Sequence, residues 1–194
     1  MRATSPTRSA EPWRSRMDWQ ALRRVITENN AEGRSRVLID GEAAKLIALE
    51  EAGLAEIWSA DLGDGGLRDA TDHLAKLDLT LEPESGAVKV RWFTVPAGED
   101  EKSAEELEAA AAFGFSAVGA AHCRVDTTRN PMMHKTASLD VIVLVKGEVD
   151  LLLDDGEAEA LKPGDVVIQR ATNHAWVNRG KETALLVAVL IHAA

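Results

Sequence analysis

The chain has 194 residues, 45% of them hydrophobic and 28% charged. That is enough for one domain with a substantial core and leaves little room for two. A formal net charge of −10 argues against nucleic acid or an anionic membrane surface as the main partner. The apolar runs are too short to span a bilayer, and the lone Cys123 allows no internal disulfide, which suits a reducing cytoplasm.

Residues 1–18 read as a disordered basic tail. Arg2, Arg8, Arg14 and Arg16 against Glu11 give the start about +3 and leave about −13 for the rest. The tail lacks the apolar stretch of a secretory signal, and Glu11 and its short length stand against an organellar transit peptide. Residues 19–194 are expected to form one domain, with 19–129 supplying strands, a loop and a helix.

Arg24–Thr27 and Arg36–Asp40 read as short strands around the turn signal Asn29–Gly33. Residues 42–52 fit either a short helix or an irregular strand. Ala55–Ala60 alternates like a strand, 61–75 is a glycine-containing loop, and Val88–Pro96 is a strand stopped by proline. Ser103 with Glu106 makes a capping box that opens a surface helix through about Ala112. The acidic run Glu99–Glu101 reads as its solvated start. Residues 113–133 read as mixed loop and strand.

From Leu139 onward the pattern is entirely β, with runs at 139–146, 148–153, 157–161, 165–170, 174–178 and 183–191. Asp155-Gly156 between alternating runs is a hairpin signal. This spacing is that of an antiparallel sandwich or barrel. Two polar clusters flank the apolar runs: His134-Lys135-Thr136-Ala137-Ser138-Leu139-Asp140, and Gln169-Arg170-Ala171-Thr172-Asn173-His174-Ala175-Trp176.

These segments resemble the cupin superfamily of small jelly-roll barrels, over roughly residues 130–191. The first cupin motif carries two histidines one residue apart, then a glutamate and a glycine. His134, Thr136, Asp140 and Gly147 stand at those places with the spacing kept, Thr136 replacing a histidine and Asp140 a glutamate. Gly164, His174 and Asn178 fit the second motif, in which Arg170 and Thr172 replace the usual proline and glycine and one residue is missing. The wording of both segments is similar to single-domain cupins with extra N-terminal strands, members of which occur beside genes of aromatic and polyketide metabolism.

The resemblance implies an all-β jelly roll and a small-molecule site. A full cupin site offers three imidazoles and a carboxylate to Fe, Mn, Ni or Zn; here His134, Asp140 and His174 remain, a set that still makes a facial triad for a divalent metal. A metal-free reading uses the same residues as a general acid–base pair, with Thr136 holding an oxygen. Both serve lyase, isomerase or cyclase chemistry on an aromatic or polyketide-like oxygenated substrate. The alternatives are a metal-dependent oxygenase and a non-catalytic small-ligand binder. A homodimer through edge strands is the expected assembly.

Each candidate has a bland counterpart. A buried histidine is more often a satisfied core residue, and only the motif spacing reverses that for His134 and His174. Trp176 shares a strand face with His174 and Asn178 and is either core or a wall for a planar ligand. Strand alternation lets only one of Gln169 and Arg170 face inward. Met132 and Met133 are expected at the barrel mouth. Arg91 is a candidate for binding a carboxylate or phenolate, although such an arginine more often sits at an edge or surface. His122 and Cys123 are sequence neighbours, which rarely face each other as a nucleophilic pair does. There is no tyrosine to act as acid or base.

Overall fold

The computed structural model describes residues 17–63 and 65–193, so the expected tail lies outside the described residues up to position 16. The hairpin β1 (Arg24–Asn29) and β2 (Ser35–Gly41) forms around Asn30, whose side-chain oxygen accepts the N–H groups of Glu32 and Arg34. It makes a two-stranded sheet of its own. Arg24 ties it to the barrel by donating to the carbonyls of Glu42 and Ile57 and pairing with Asp72 at 2.6 Å.

The ambiguous stretch 42–52 is strand. β3 (Lys45–Leu49) turns through Glu50, at φ 54°, into β4 (Ala52–Asp61), which starts earlier than its alternation indicates. The reason is tertiary: Ile47 and Leu54 pair across the hairpin and pack on a buried cluster that includes Ala111 and Phe115. Packing there overrides the helical bias of the Ala/Leu/Glu composition. β5 (Ala87–Val95) follows and ends before Pro96.

The capping box forms as expected, Ser103 Oγ accepting the Glu106 N–H and the Glu106 carboxylate accepting the Ser103 N–H. The helix α1 (Ala104–Ala117) runs five residues beyond Ala112, because Ala111 and Phe115 give it a buried stripe over β3 and β4. No strand forms in 113–133; α1 is followed by a short turn at Ala121–Cys123 and loop. Glu99–Glu101 is a separate single turn before the helix.

The C-terminal strands match the sequence pattern closely: β6 (Leu139–Lys146), β7 (Val149–Leu153), β8 (Glu159–Leu161), β9 (Val166–Arg170), β10 (His174–Val177) and β11 (Ala184–Ile191). They form two sheets, a six-stranded one in the order β3-β4-β5-β11-β6-β9 and a three-stranded one in the order β10-β7-β8. All neighbouring strands of the described residues are antiparallel. The result is a jelly-roll barrel. Its core joins Ile142, Leu144, Leu186 and Leu190 of the large sheet to Val149, Leu151 and Trp176 of the small one.

One band of that barrel is polar. Cross-strand register lines up Glu56 with Arg91, and Lys89, Leu190, Asp140 and Gln169 along the next row. All four charged residues and Gln169 are buried. Of this band, Asp140 and Leu190 reach the candidate site.

Candidate active site

His134 precedes β6 and His174 opens β10, so sequence puts them 40 residues apart. An isolated antiparallel bridge joins them, and their rings lie 4.3 Å apart, centre to centre. His134 is also 4.8 Å from Phe115 of α1, and His174 meets the edge of Trp176 at 5.4 Å. His134 Nδ1 lies 2.9 Å from the Met132 carbonyl, and His174 Nδ1 lies 2.9 Å from the Thr172 carbonyl. A carbonyl only accepts, so each Nδ1 carries the proton and each Nε2 keeps a bare lone pair.

Burial holds both imidazoles neutral. It depresses the pKa of His134, and it takes His174 down to about 3, with the neighbouring His134 adding to the effect. Asp140 moves the other way. Burial raises its pKa against the opposing pull of Ser138, Thr136 and the Arg91 charge. Ser138 donates to Asp140 Oδ1 at 2.6 Å and Thr136 donates to Oδ2 at 3.2 Å, all three side chains being buried. Ser138 is a site residue that the motif comparison misses; a hydroxyl two residues before a buried acid is the signal that marks it.

His134, Thr136, Asp140, His174 and Trp176 open onto one cavity of about 340 Å³. That volume falls in the range of small-molecule sites. The remaining wall is apolar, from Phe93, Ile142 and Leu190 of the large sheet and from Leu107, Phe113, Gly114 and Phe115 of α1. Glu99 and Lys102 bring charge to the α1 side. Glu99 is held by Asn130 Nδ2 at 2.6 Å, and burial raises its carboxyl pKa. It is therefore part of the site wall, where the sequence reads only a solvated helix start.

The other expected contacts fall behind the wall. Met132 lines the cavity, while Met133 turns into a cluster with Leu152, Ala175 and Val177. Gln169 faces inward and Arg170 outward, as alternation requires, but Gln169 sits beside Asp140 in the register and accepts from Thr172. Asn178 donates to the carbonyls of Val95 and Glu182, which fixes the turn from β10 to β11. Arg91 is neither at an edge nor on the surface. It is 2% exposed, pairs with Glu56 at 2.9 Å and donates to the Thr80 carbonyl.

The two imidazoles suit a metal, since an Nδ1–H bonded to a carbonyl is how ligand histidines are oriented. The carboxylate does not complete the set. Both Asp140 oxygens are engaged by hydroxyls, and the ligand atoms of His134, Asp140 and His174 do not gather within 4.8 Å of one another. As folded, the residues do not form the three-ligand site that the motif implies.

No family model matches the chain. Curated relatives match a segment of it. Phomopsin biosynthesis cluster protein C' of Diaporthe leptostromiformis is 46% identical over 69 residues, 34% of this chain and 36% of that protein. A cupin-domain-containing oxidoreductase of Aspergillus ruber is 44% identical over 46 residues, 24% of this chain and 23% of that protein. The chain thus spans about a third or less of the length of these curated relatives. Among solved structures, a cupin-2 domain from Rhodospirillum rubrum is 12% identical with a TM-score of 0.41, covering 76% of this chain and 68% of that one. The strands form a jelly roll, and a segment of the chain is similar to proteins named as cupin-domain-containing oxidoreductases. No described helix is long and apolar enough to cross a membrane.

Proposed function

We propose that this protein is a small-molecule enzyme of cupin type that moves protons on an oxygenated, largely apolar substrate, in lyase, isomerase or cyclase chemistry. The observation that carries the reading is the pair of bare Nε2 atoms opening onto the same apolar cavity as a buried carboxyl group of raised pKa. Groups pushed apart in this way divide into acid and base.

In this reading His174 Nε2 accepts a proton from a carbon beside a carbonyl, or from an enol or phenol. The depressed pKa makes the imidazolium short-lived, so it gives its proton up quickly to water in the cavity, and in D₂O a deuteron takes its place and is returned to the carbon. Asp140, whose pKa burial raises, gives a proton to the oxygen as His174 takes the one on carbon, and recovers it when the enol collapses; Ser138 and Thr136 hold the carboxylate in between. Trp176 and Phe115 flank the histidines and line the cavity, an aromatic surface suited to a planar ligand. The biosynthesis-cluster names of the relatives suit a small-molecule substrate, and the aromatic lining of the cavity suits an aromatic or polyketide-like one.

The test is deuterium incorporation into enolisable aryl ketones and β-diketones in D₂O, followed by proton NMR in oxygen-free buffer with chelator. Wild-type protein is expected to exchange the proton beside the carbonyl, and His174→Gln to lose about 10²-fold or more of that rate while staying folded. Turnover that needs O₂ and added Fe(II) would replace this reading with the oxygenase. Thermal stabilisation by a ligand without any exchange would leave a binding protein. Elemental analysis of untagged protein, with His134→Ala as control, decides whether Fe, Mn, Ni or Zn belongs to the barrel.

The proposed assembly is a homodimer. β9 is an edge strand of the large sheet, and its Val166 and Ile168 are more than half exposed. Light scattering on the wild type and on Ile168→Lys tests it, with a dimer expected only for the former.

A further inference from the structure

A second cluster lies outside the cavity, on the far side of the 135–138 loop. We propose that Glu82, His122 and Cys123 form a site for a borderline divalent cation of the Zn²⁺ class. Their ligand atoms all lie within 4.8 Å of one another. They come from two separate segments, the loop before β5 and the turn after α1, so the fold and not local sequence brings the three together.

The geometry is that of a coordination sphere waiting for its centre. His122 Nε2 is 3.6 Å from Cys123 Sγ and 2.8 Å from Glu82 Oε2. Around a tetrahedral ion with metal–nitrogen near 2.0 Å and metal–sulfur near 2.3 Å, the two donors would stand about 3.5 Å apart. A plain surface histidine–glutamate pair needs no thiol at the same nitrogen. Here one imidazole nitrogen is shared between a thiol and a carboxylate, and it holds at most one proton for the two of them.

The scaffold is firm. Glu82 Oε1 accepts the Ala137 N–H at 3.0 Å, which fixes the carboxyl group with Oε2 turned toward His122. The Cys123 carbonyl accepts the Lys135 N–H at 2.8 Å. Cys123 is buried in the α1 cluster, whereas His122 is largely exposed and gives entry from solvent. Glu82 also borders a surface recess of about 210 Å³ beside Gly119 and Ala120, with room for a water as fourth ligand. Burial and the adjacent Glu82 carboxylate push the thiol up to about 12, which opposes loss of its proton, so cation binding should strengthen as pH rises. Thiolate, imidazole and carboxylate together favour Zn²⁺ over Mg²⁺ or Ca²⁺.

Both anchors grip the loop that carries Thr136 and Ser138, so an ion here would brace the hydroxyls that hold Asp140. The experiment is a Co²⁺ titration of the untagged full chain under reducing, chelator-free conditions. One equivalent is expected to bind with a thiolate-to-cobalt charge-transfer band in the ultraviolet, and Zn²⁺ is expected to displace it. His122→Ala removes an exposed side chain and should weaken binding by about tenfold or more, as should Glu82→Gln. His134→Ala/His174→Ala should leave the thiolate band intact, which separates this site from the barrel. Absence of the band in the wild type, unchanged affinity in His122→Ala, or loss of the band in the barrel double variant would overturn the proposal.

Discussion

His134 and His174 exchange backbone hydrogen bonds in both directions, each N–H reaching the other's carbonyl at 2.9 Å. The exchange ties the two main chains together, while Met132 and Thr172 hold the rings through Nδ1. The pair is also where acid should attack the fold. A depressed folded-state pKa means that the unfolded chain takes up the proton first, so stability is lost as pH falls from about 6.5 toward the folded value near 3. Between pH 7 and pH 5 the loss from His174 is about 2 kcal/mol. Urea denaturation at the two pH values should show it, and His174→Gln should show a much flatter dependence. An equally steep dependence in that variant would place the acid sensitivity elsewhere.

Ser138→Ala should lower stability by about 1–3 kcal/mol at neutral pH, because it strips the 2.6 Å donor from a buried acid. Thr136→Ala, at the longer 3.2 Å contact, should have the smaller effect. The two variants compared in one denaturant series test that ranking.

Arg91→Met should destabilise by about 3–5 kcal/mol, since it leaves Glu56 charged and unpaired in the barrel. Burial already raises the Glu56 carboxyl pKa despite the arginine beside it. Arg91→Met combined with Glu56→Leu should recover most of the loss. A double variant as unstable as the single would mean that Arg91 works chiefly through the Thr80 carbonyl.

Gly147→Ala and Gly156→Ala separate two effects. Both glycines have φ near +84°, so both substitutions carry backbone strain of about 1 kcal/mol or more. Only at Gly147 would the new methyl also stand 2.8 Å from the Ala184 backbone; at Gly156 it meets nothing within 4 Å. Gly147→Ala should therefore be the more damaging of the two by chemical denaturation.

What the sequence made legible followed from local rules. Strands from Leu139 onward were marked by alternation and turn residues, and the capping box at Ser103 located the start of α1. The histidines, Thr136 and Asp140 were marked by spacing alone. What it concealed depended on partners distant in the chain. β3 fitted a helix or a strand from sequence because the packing against α1 that decides it is non-local. Arg91 and Glu56 meet only through the register of β4 and β5, and nothing near either predicts the other. Glu99 read as a solvent acid until the fold set Asn130 against it. The Cys123–His122 contact contradicts the rule that neighbours face apart, because a tight turn folds both side chains toward Glu82.

Gly114 sits within α1 and on the cavity wall, and a methyl group there would meet no atom within 4 Å. A glycine inside a helix weakens it by about 1 kcal/mol relative to alanine. Alanine would fit the protein yet intrude on the cavity, so the chain forgoes that firmness and keeps the space for something else. Gly114→Ala should accordingly melt higher and bind its ligand less well. The α1 wall at Gly114 is where a descendant of this protein could change the girth of what it accepts while keeping both histidines.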